Sequence, residues 1–401
     1  MDPRTNPFAP GAGARPPAFA GREQILEAAD IALDRQIAGR HANSMILLGL
    51  RGVGKTVLLN RLHEEAKAKG YETVRLEVPD AAGGHLARML VPMLDSVLRR
   101  LDRRQAAQDA MGRAGAALVN FAAAFKISYQ GFALGLDGDG LAAGSGNMEA
   151  DLPDLMRAVW EAAADRKTAL GLFIDEVQYL SRDELSALAR TCHEAAQQGG
   201  RFLMIGAGLP QIAALAGDAK SYAERLFSYP EVGPLSDAAA REVLSRPAAE
   251  EGVAFEDAAL DRIVADTEGY AYFLQSWGKF VWDEADASPI TEDDVIRAHP
   301  AIRADLDESF FRVRYDRSSP AEQQYLRAMA ELGPGPHQTG DVAKILGTES
   351  SQVANTRRKL IEAGMIYSQR HGETAFTVPL FDTFMRRTMP DLVPYTPRKR
   401  G

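Results

Sequence analysis

Eight consecutive residues, 49–56, combine glycines with a lysine and a threonine in the pattern G-x-x-x-x-G-K-[ST]. They are Gly49, Leu50, Arg51, Gly52, Val53, Gly54, Lys55 and Thr56. Glycines let backbone N–H groups curl around phosphate oxygens at the positive, N-terminal end of a helix. The lysine of this pattern neutralises β- and γ-phosphate oxygens, and the threonine hydroxyl is a ligand of Mg²⁺. The spacing indicates a nucleoside triphosphate site, with an ordinary glycine-rich turn as the alternative.

Two adjacent carboxylates, Asp175 and Glu176, lie 119 positions after Thr56 and follow the apolar residues 170–174. An aspartate at the end of a buried strand is placed to hold Mg²⁺ together with the Thr56 hydroxyl and water. The neighbouring glutamate is placed to polarise an attacking water. Acidic residues also follow buried strands as solvated turns, but the phosphate-loop pattern on another strand favours the catalytic interpretation.

Hydrophobic patterning predicts the strands that must hold these residues. The predicted strands cover residues 45–48, 73–78, 170–175, 201–206 and 229–232. Apolar residues at helical spacing fill the segments between them. This alternation from residue 45 to residue 232 predicts an α/β fold with a parallel sheet and helices on both faces.

Residues 236–315 change to a helical pattern throughout, and residues 316–390 have the pattern of a separate small domain. In this last segment, three predicted helices precede two strands at 366–368 and 375–378. Three helices followed by a hairpin are typical of a winged helix-turn-helix domain.

The third predicted helix of that domain is expected to expose polar and basic side chains suited to the base edges and phosphates of duplex DNA. They are Gln352, Asn355, Thr356, Arg357, Arg358 and Lys359. A winged helix that docks on protein is the alternative, because residues 316–401 have a net charge of only +3.

The 401 residues allow two or three domains and a sizeable core. The net charge of −9 argues against nonspecific nucleic-acid binding by the whole molecule. That charge is uneven, because residues 1–315 carry a net −12 and the C-terminal residues a net +3. Cys192 is the only cysteine; it fits a buried helix face and favours a reducing cytoplasm.

We expect no signal peptide and no membrane-spanning segment. Residues 1–18 are expected to be a flexible arm and residues 391–401 a basic tail.

The motifs and their order resemble the AAA+ ATPases of the origin-recognition type and the related archaeal-type and STAND ATPases. Residues 19–23 are similar to that family's N-terminal box, residues 49–56 to its Walker A motif and residues 173–176 to its Walker B motif. The resemblance covers about residues 18–390. It implies a P-loop ATPase domain over 19–235, a helical lid over 236–315 and a winged helix over 316–390, with ATP and Mg²⁺ as ligands.

Two departures from the family pattern predict slow hydrolysis, with ATP acting as a switch. The polar sensor residue that usually follows the fourth strand is replaced by glycine and alanine at 206–208, and the lid stretch 269–275 lacks the arginine of replication-type members. Arg225 is the candidate for an arginine that reaches the γ-phosphate bound by a neighbouring subunit, with a salt bridge as the alternative. That role implies a nucleotide-dependent homo-oligomer.

Two functions stay open at this point. In the first, the ATPase loads, remodels or regulates something on duplex DNA through its winged helix. In the second, the protein is a nucleotide-gated signalling switch whose winged helix packs on its own lid or on a partner protein. The basic residues 357–359 and 398–400 favour DNA, whereas the acidic body and the missing lid arginine favour the switch.

Overall fold

A computed structural model describes residues 1–11, 13–80, 84–102, 108–127, 144–219, 223–368, 370 and 372–392. By their contacts, the residues form two units. The sheet unit comprises Arg22–Leu48 and Lys55–Val232, and the helical unit comprises Met1–Gly21, Gly49–Gly54 and Gly233–Gly401. The glycine loop is therefore grouped with the helical unit, although the chain on either side of it belongs to the sheet unit.

Five parallel strands form the sheet. They are β1 (Ser44–Leu48), β2 (Glu72–Glu77), β3 (Leu170–Asp175), β4 (Phe202–Gly208) and β5 (Phe227–Ser228). Their order across the sheet is β2-β3-β4-β1-β5. Every residue of β1, β3 and β4 is buried, and because successive side chains point to opposite faces, the sheet is covered on both faces. The predicted α/β fold with a parallel sheet is confirmed.

The fifth strand lies earlier than predicted. The paired strand β5 ends at Ser228, and beyond it the chain contacts β1 only through a bridge between Leu48 and Glu231. The Leu48 amide donates to the Pro230 carbonyl oxygen at 3.0 Å. Proline has no N–H to donate to β1, so the ladder is interrupted at residue 230, and Val232 resumes it by donating to the Leu48 carbonyl oxygen at 2.6 Å.

Among the described residues of the sheet unit, eight helices accompany these strands. They are α1 (Glu23–Ile37), α2 (Lys55–Ala68), α3 (Leu86–Asp102), α4 (Gln108–Ala124), α5 (Met148–Asp165), α6 (Arg182–Gln198), α7 (Ile212–Ala219) and α8 (Ala223–Leu226). Local signals set the ends of α6: Ser181 and Glu184 form a capping box at its start, and Gly199 adopts a left-handed conformation at its end. Cys192 lies on α6 and is buried, as predicted.

The strand register brings the ends of three strands to one edge. Leu48, the last residue of β1, lies opposite Gly208 of β4, and Ile174 of β3 lies opposite Gly206. Strand β4 therefore separates the strand that leads into the glycine loop from the strand that ends in Asp175. The carboxyl edge of a parallel sheet is where such folds bind ligands.

Between residues 237 and 315 the regular elements of the helical unit are helices joined by short connections. Its helices are α9 (Asp237–Glu250), α10 (Asp257–Thr267), α11 (Ala271–Glu284), α12 (Glu292–Asp305) and α13 (Val313–Tyr315), the last two joined by a π-helical segment, Leu306–Arg312. Ser236 caps α9 by accepting from the Ala239 amide at 3.4 Å. Aromatic side chains, including Phe273, Trp277 and Trp282, fill the core of these helices.

Among the described residues, the C-terminal part of this unit contains four helices, three of them predicted, and a small antiparallel sheet. The helices are α14 (Pro320–Leu332), α15 (Thr339–Ile345), α16 (Ser350–Glu362) and α17 (Phe381–Thr388), and the strands are β6 (His337–Gln338), β7 (Ile366–Tyr367) and β8 (Glu373–Phe376), in the order β6-β8-β7. Strand β6 and helix α17 were not predicted. Helix α17 packs through Phe384, which stacks on Phe311 at 5.3 Å.

The first residues of the chain are not a flexible arm, so that expectation is wrong. Phe8 is 3% exposed and meets the rings of Phe255 and Trp282 edge to face, with centroids 6.4 Å away in each case. The Trp282 indole donates to the Asp2 carbonyl oxygen at 3.2 Å. The proline- and glycine-rich composition suggested a disordered segment. Burial of the Phe8 ring among aromatic side chains offsets the conformational entropy that is lost when this segment is ordered.

Two further expectations concern the C-terminal tail and membrane-spanning segments. The predicted basic tail lies outside the described residues from residue 393 onward, and Arg398, Lys399 and Arg400 are among those residues. Within the described part of the chain, no helix is long and apolar enough to cross a membrane.

Candidate nucleotide site

The glycine loop, Gly49–Gly54, joins the end of β1 to the start of α2. Gly52 and Gly54 have φ angles of 83° and 93°, in the left-handed region that side chains rarely adopt. Lys55 is the first residue of α2 and is buried, and Thr56 follows it with partial exposure. The first N–H groups of a helix have no partner within the helix, so this loop and helix end can bind phosphate oxygens.

The loop is also held by two backbone hydrogen bonds within the helical unit. The Arg51 amide donates to the Thr377 carbonyl oxygen at 3.1 Å, and the Tyr272 amide donates to the Gly52 carbonyl oxygen at 3.0 Å. The Tyr272 ring stacks on Phe310, with ring centroids 4.7 Å apart. Residues from helix α11 and from the C-terminal part of the chain therefore contact the predicted phosphate loop directly.

Asp175 is the last residue of β3 and is 2% exposed. One of its carboxylate oxygens accepts from the Glu176 amide at 3.0 Å, and the other accepts from the Arg75 guanidinium at 3.1 Å. Arg75 also donates to the Asn60 side chain of α2 at 3.2 Å. Carboxylate oxygens are among the ligands that Mg²⁺ prefers, so the residue type at this strand end is suited to bind that cation.

Sequence reasoning missed Arg75, because the sequence shows the alternation of β2 but not the pairing of β2 with β3. In β2, Arg75 alternates with Val74 and Leu76, so it points to the opposite face of the sheet from those two side chains. Because Glu77 lies opposite Asp175 in the register, Arg75 is a diagonal neighbour of Asp175. The register that shows this pairing is not visible in the sequence.

Glu176 lies just beyond β3 and has a left-handed conformation, with φ of 55°. Its carboxylate accepts a hydrogen bond from the side-chain amide of Gln178. The oxygen of that amide in turn accepts from the Leu209 backbone N–H at 3.2 Å, immediately after β4. Gln178 is the second residue of this region that sequence reasoning missed, because its role depends on the contact between two loops.

The residues present fit a Mg²⁺ site of the P-loop kind. Thr56 offers a hydroxyl oxygen and Asp175 a carboxylate oxygen, and Mg²⁺ prefers such oxygen ligands. No group of three or more His, Cys, Asp or Glu side chains in the described ranges is arranged to hold a metal ion. A Mg²⁺ ion held by one or two protein oxygens together with phosphates does not need such a group.

The structure places Arg225 on the short helix α8, where it is exposed. Exposure is compatible with a contact to another subunit and equally with an ordinary surface position. Its role as an arginine that acts on a neighbour's phosphate therefore stays a prediction.

The six residues predicted to contact DNA lie on α16 but differ in exposure. Gln352, Asn355 and Arg358 are exposed, and Lys359 is partly exposed. The expectation that Thr356 is exposed is wrong: it is 8% exposed, on the same helix face as Val353 and Leu360, because residues three and four apart share a face.

Two of the basic side chains of α16 already have partners within the chain. Arg357 donates to the Ser368 hydroxyl at 3.1 Å and to the Glu373 carbonyl oxygen at 3.2 Å, so it ties the helix to the small sheet. Arg358 pairs with Glu362 at 2.6 Å on the surface of the helix. A surface pair of this kind contributes little free energy and exchanges readily for a phosphate.

Comparison with known proteins gives two family matches. Residues 18–205 match a AAA ATPase domain family, and residues 308–385 match a domain of unknown function, DUF8462. No curated protein matches the chain.

Several solved structures are similar in fold. The Walker-type ATPase of Pyrococcus abyssi is 19% identical, with 92% of this chain and 96% of that chain covered and a TM-score of 0.59. The RuvB Holliday junction branch migration motor of Thermotoga maritima is 17% identical, with 94% and 97% covered and a TM-score of 0.44. The Aeropyrum pernix Orc1 protein in complex with DNA is 16% identical, with 95% of each chain covered and a TM-score of 0.46.

At such identities the similarity to the Pyrococcus abyssi ATPase concerns the fold, and the two lower TM-scores add nothing to it. The family match over residues 18–205 includes both the glycine loop and the strand that ends in Asp175. It agrees with the five-stranded parallel sheet. Over residues 18–205 the chain is therefore similar to AAA ATPase domains, in the family match and in the fold of its sheet.

Proposed function

We propose that this chain binds ATP with Mg²⁺ and hydrolyses it to ADP and phosphate. The observation that carries the proposal is the strand register: β4 lies between the strand that leads into the glycine loop and the strand that ends in Asp175. Lys55, Thr56, Asp175 and Glu176 therefore follow strand ends at one edge of the sheet. This is the arrangement in which a P-loop and an acidic strand end serve one nucleotide.

Each residue has a distinct role in this proposal. The N–H groups of the glycine loop and the Lys55 ammonium bind the β- and γ-phosphate oxygens. Thr56 and Asp175 hold Mg²⁺, which neutralises phosphate charge when it is bound. Glu176 orients the attacking water and accepts its proton as the bond to the γ-phosphorus forms, and ADP leaves.

Two substitutions test this function. Lys55→Ala should lose nucleotide binding, whereas Glu176→Gln should still bind ATP but lose turnover. Lys67→Ala is a matched control for the lysine, because Lys67 lies on the same helix but is exposed and pairs with Glu64. Binding of a fluorescent ATP analogue and phosphate release are the two measurements. Hydrolysis by Glu176→Gln at the parent rate would remove the role given to Glu176.

We further propose that the C-terminal residues 316–390 form a winged helix that binds duplex DNA. The support is the exposure of Gln352, Asn355 and Arg358 along α16, followed by the strands β7 and β8. Their side chains match the donors and acceptors of base edges and the charge of phosphates. In this function, the nucleotide state controls how the protein binds or remodels DNA.

One observation favours the alternative, a nucleotide-gated signalling switch. The Thr377 carbonyl oxygen, at the end of β8, accepts from the Arg51 amide in the glycine loop. A phosphate group that reshapes the loop also changes this bond, so nucleotide binding is coupled to the C-terminal residues without any DNA. In that case the winged helix docks on protein.

Affinity for duplex DNA measured against salt distinguishes the two functions, because release of counterions makes binding to phosphates fall steeply as salt rises. The double substitution of Arg358 and Lys359 by Ala should weaken binding and flatten the slope by about 1 to 2. Arg357 is left in place, because it ties α16 to the small sheet. Arg246→Ala is the control, since Arg246 forms a similar surface pair with Glu242 on α9. No duplex binding at low salt with ATP present would leave the switch as the function.

A further inference from the structure

A single side chain connects the end of β3 to the segment after β4. The Gln178 amide nitrogen donates to the Glu176 carboxylate, and the Gln178 amide oxygen accepts from the Leu209 N–H at 3.2 Å. Gln178 lies in the short 3₁₀ turn Val177–Tyr179, which closes with a hydrogen bond from the Tyr179 amide to the Glu176 carbonyl oxygen at 3.0 Å. All of these groups belong to the sheet unit.

The orientation of the Gln178 amide follows from the chemistry of its two partners. A carboxylate only accepts hydrogen bonds, so the amide NH₂ must face Glu176. A backbone N–H only donates, so the amide oxygen must face Leu209. The two requirements agree, and a flipped amide would lose both bonds at once.

The end of β4 is shaped to admit this side chain. A Cβ atom added to Gly208 would lie 2.6 Å from Val177 Cγ2 and 2.9 Å from Gln178 Oε1. A Cβ atom added to Gly206 would lie 3.1 Å from Val177 Cγ1. Any larger residue at position 208 would displace Val177 and Gln178 from their positions beside the strand, so the glycine is a steric requirement of this contact.

We propose that Gln178 is a positioning residue for ATP hydrolysis, which holds the Glu176 carboxylate and ties its position to the segment that begins at Leu209. This inference rests on the proposed function of Glu176. In the hydrolytic step, Glu176 takes the proton of the attacking water, while Gln178 is neither protonated nor consumed. Movement of the segment after β4 therefore moves the Glu176 carboxylate. Strand β4 ends in glycine and alanine and has no polar side chain at this point, and Gln178 supplies one.

The test is the substitution Gln178→Met, which keeps the length and packing of the side chain but removes both hydrogen bonds. Misplacement of a catalytic group should lower kcat roughly tenfold to a hundredfold. KM and the affinity for a nonhydrolysable ATP analogue should stay within about twofold, since no nucleotide contact is lost. Gln178→Asn should act in the same direction, because its shorter side chain cannot reach both partners.

The matched control is Gln211→Met, the same change just beyond Leu209. Its amide oxygen has no hydrogen-bond partner among the described residues. It should leave kcat unchanged. Parent-like kcat in Gln178→Met would overturn the inference while leaving the proposed ATPase function intact, and absence of turnover in the parent chain would overturn both.

A thermal-unfolding cycle tests the contact without any turnover. The four proteins are the parent, Glu176→Ala, Gln178→Met and the double variant. If Gln178 bonds Glu176, the decrease in Tm of the double variant should be smaller than the sum of the decreases in the two single variants. Either single substitution already breaks the hydrogen bond, so the second one has no bond left to break. Strictly additive losses would overturn the inference.

Discussion

At the scale of single residues, burial fixes the protonation state of His63. Its ring lies 5.1 Å from that of Phe173, and its Nε2 contacts the Thr73 hydroxyl at 3.0 Å. Burial lowers the pKa of His63 from 6.5 to about 4, and the positive charges of Lys67 and Arg75 act in the same direction. His63 is therefore neutral in the folded protein at neutral pH.

This shift gives a pH dependence of stability with a definite sign. Between a pKa of about 6.5 in the unfolded chain and about 4 in the folded one, the unfolded state binds more protons, so stability falls as the pH falls through that window. In His63→Gln that part of the fall should disappear. Urea unfolding at several pH values from 7 to about 4 measures it. His41→Gln is the control because His41 is exposed. Identical pH curves for the parent and His63→Gln would contradict the assignment.

Cys192 should be chemically silent in the native protein. It is buried, and burial raises the pKa of its thiol to about 12, so the reactive thiolate is scarce at neutral pH. We expect a thiol reagent to label the protein only after denaturant is added, with one group modified per chain. Rapid labelling without denaturant would show that the α6 face carrying Cys192 is open to solvent.

At the scale of elements, the N-terminal segment is anchored on α11 by Phe8. A Cβ atom added to Gly278 of α11 would lie 2.6 Å from the Phe8 ring, so the ring rests directly on the helix. Phe8→Ala should lower the free energy of unfolding by about 3 kcal/mol, because it leaves a cavity among aromatic side chains. Denaturant unfolding measures the loss. Arg15→Ala, at an exposed position of the same segment, should have no effect. Equal stability of Phe8→Ala and the parent would instead support the expectation that this segment is a flexible arm.

The elements that the sequence predicts best are those with a strong local signal. The strands β1 to β4 are apolar or alternating runs next to glycine or acidic residues, and α14 begins at a proline and ends before a glycine, which are local signals for helix ends. The two site motifs could be predicted for the same reason, since their residues are adjacent in the chain. Long-range contacts decide the rest: Pro230 shortens β5, Phe8 finds an aromatic partner, and α17 is held by Phe311.

The same distinction applies within the candidate site. Lys55, Thr56, Asp175 and Glu176 are recognised from motif spacing, whereas Arg75 and Gln178 act through the strand register and through loop contacts. Thr356 is an example of a residue whose type suggests a function that its position does not allow. Its residue type suits DNA, but its position on the Val353 face of α16 buries it.

At the scale of the whole molecule, charge is distributed unevenly, with an acidic body and a basic C-terminal segment. We expect ATP to promote self-association if Arg225 contacts the nucleotide of a neighbouring subunit. Sedimentation velocity with a nonhydrolysable ATP analogue should show a larger species for the parent and less of it for Arg225→Ala. Arg15→Ala is a suitable control of equal charge change. A monomer at every nucleotide condition would remove the role given to Arg225.

The proposed Mg²⁺·ATP site combines residues that follow two separate strands, and binding calorimetry can show whether they act together. Calorimetric binding of a nonhydrolysable ATP analogue, with and without Mg²⁺, is compared for the parent, Thr56→Ala, Asp175→Asn and the double variant. Both residues hold the same ion in this account, so each single substitution should abolish most of the Mg²⁺-dependent gain in affinity, and the double variant should lose little more. Independent, additive losses, or a Mg²⁺ effect unchanged in Asp175→Asn, would contradict this proposal.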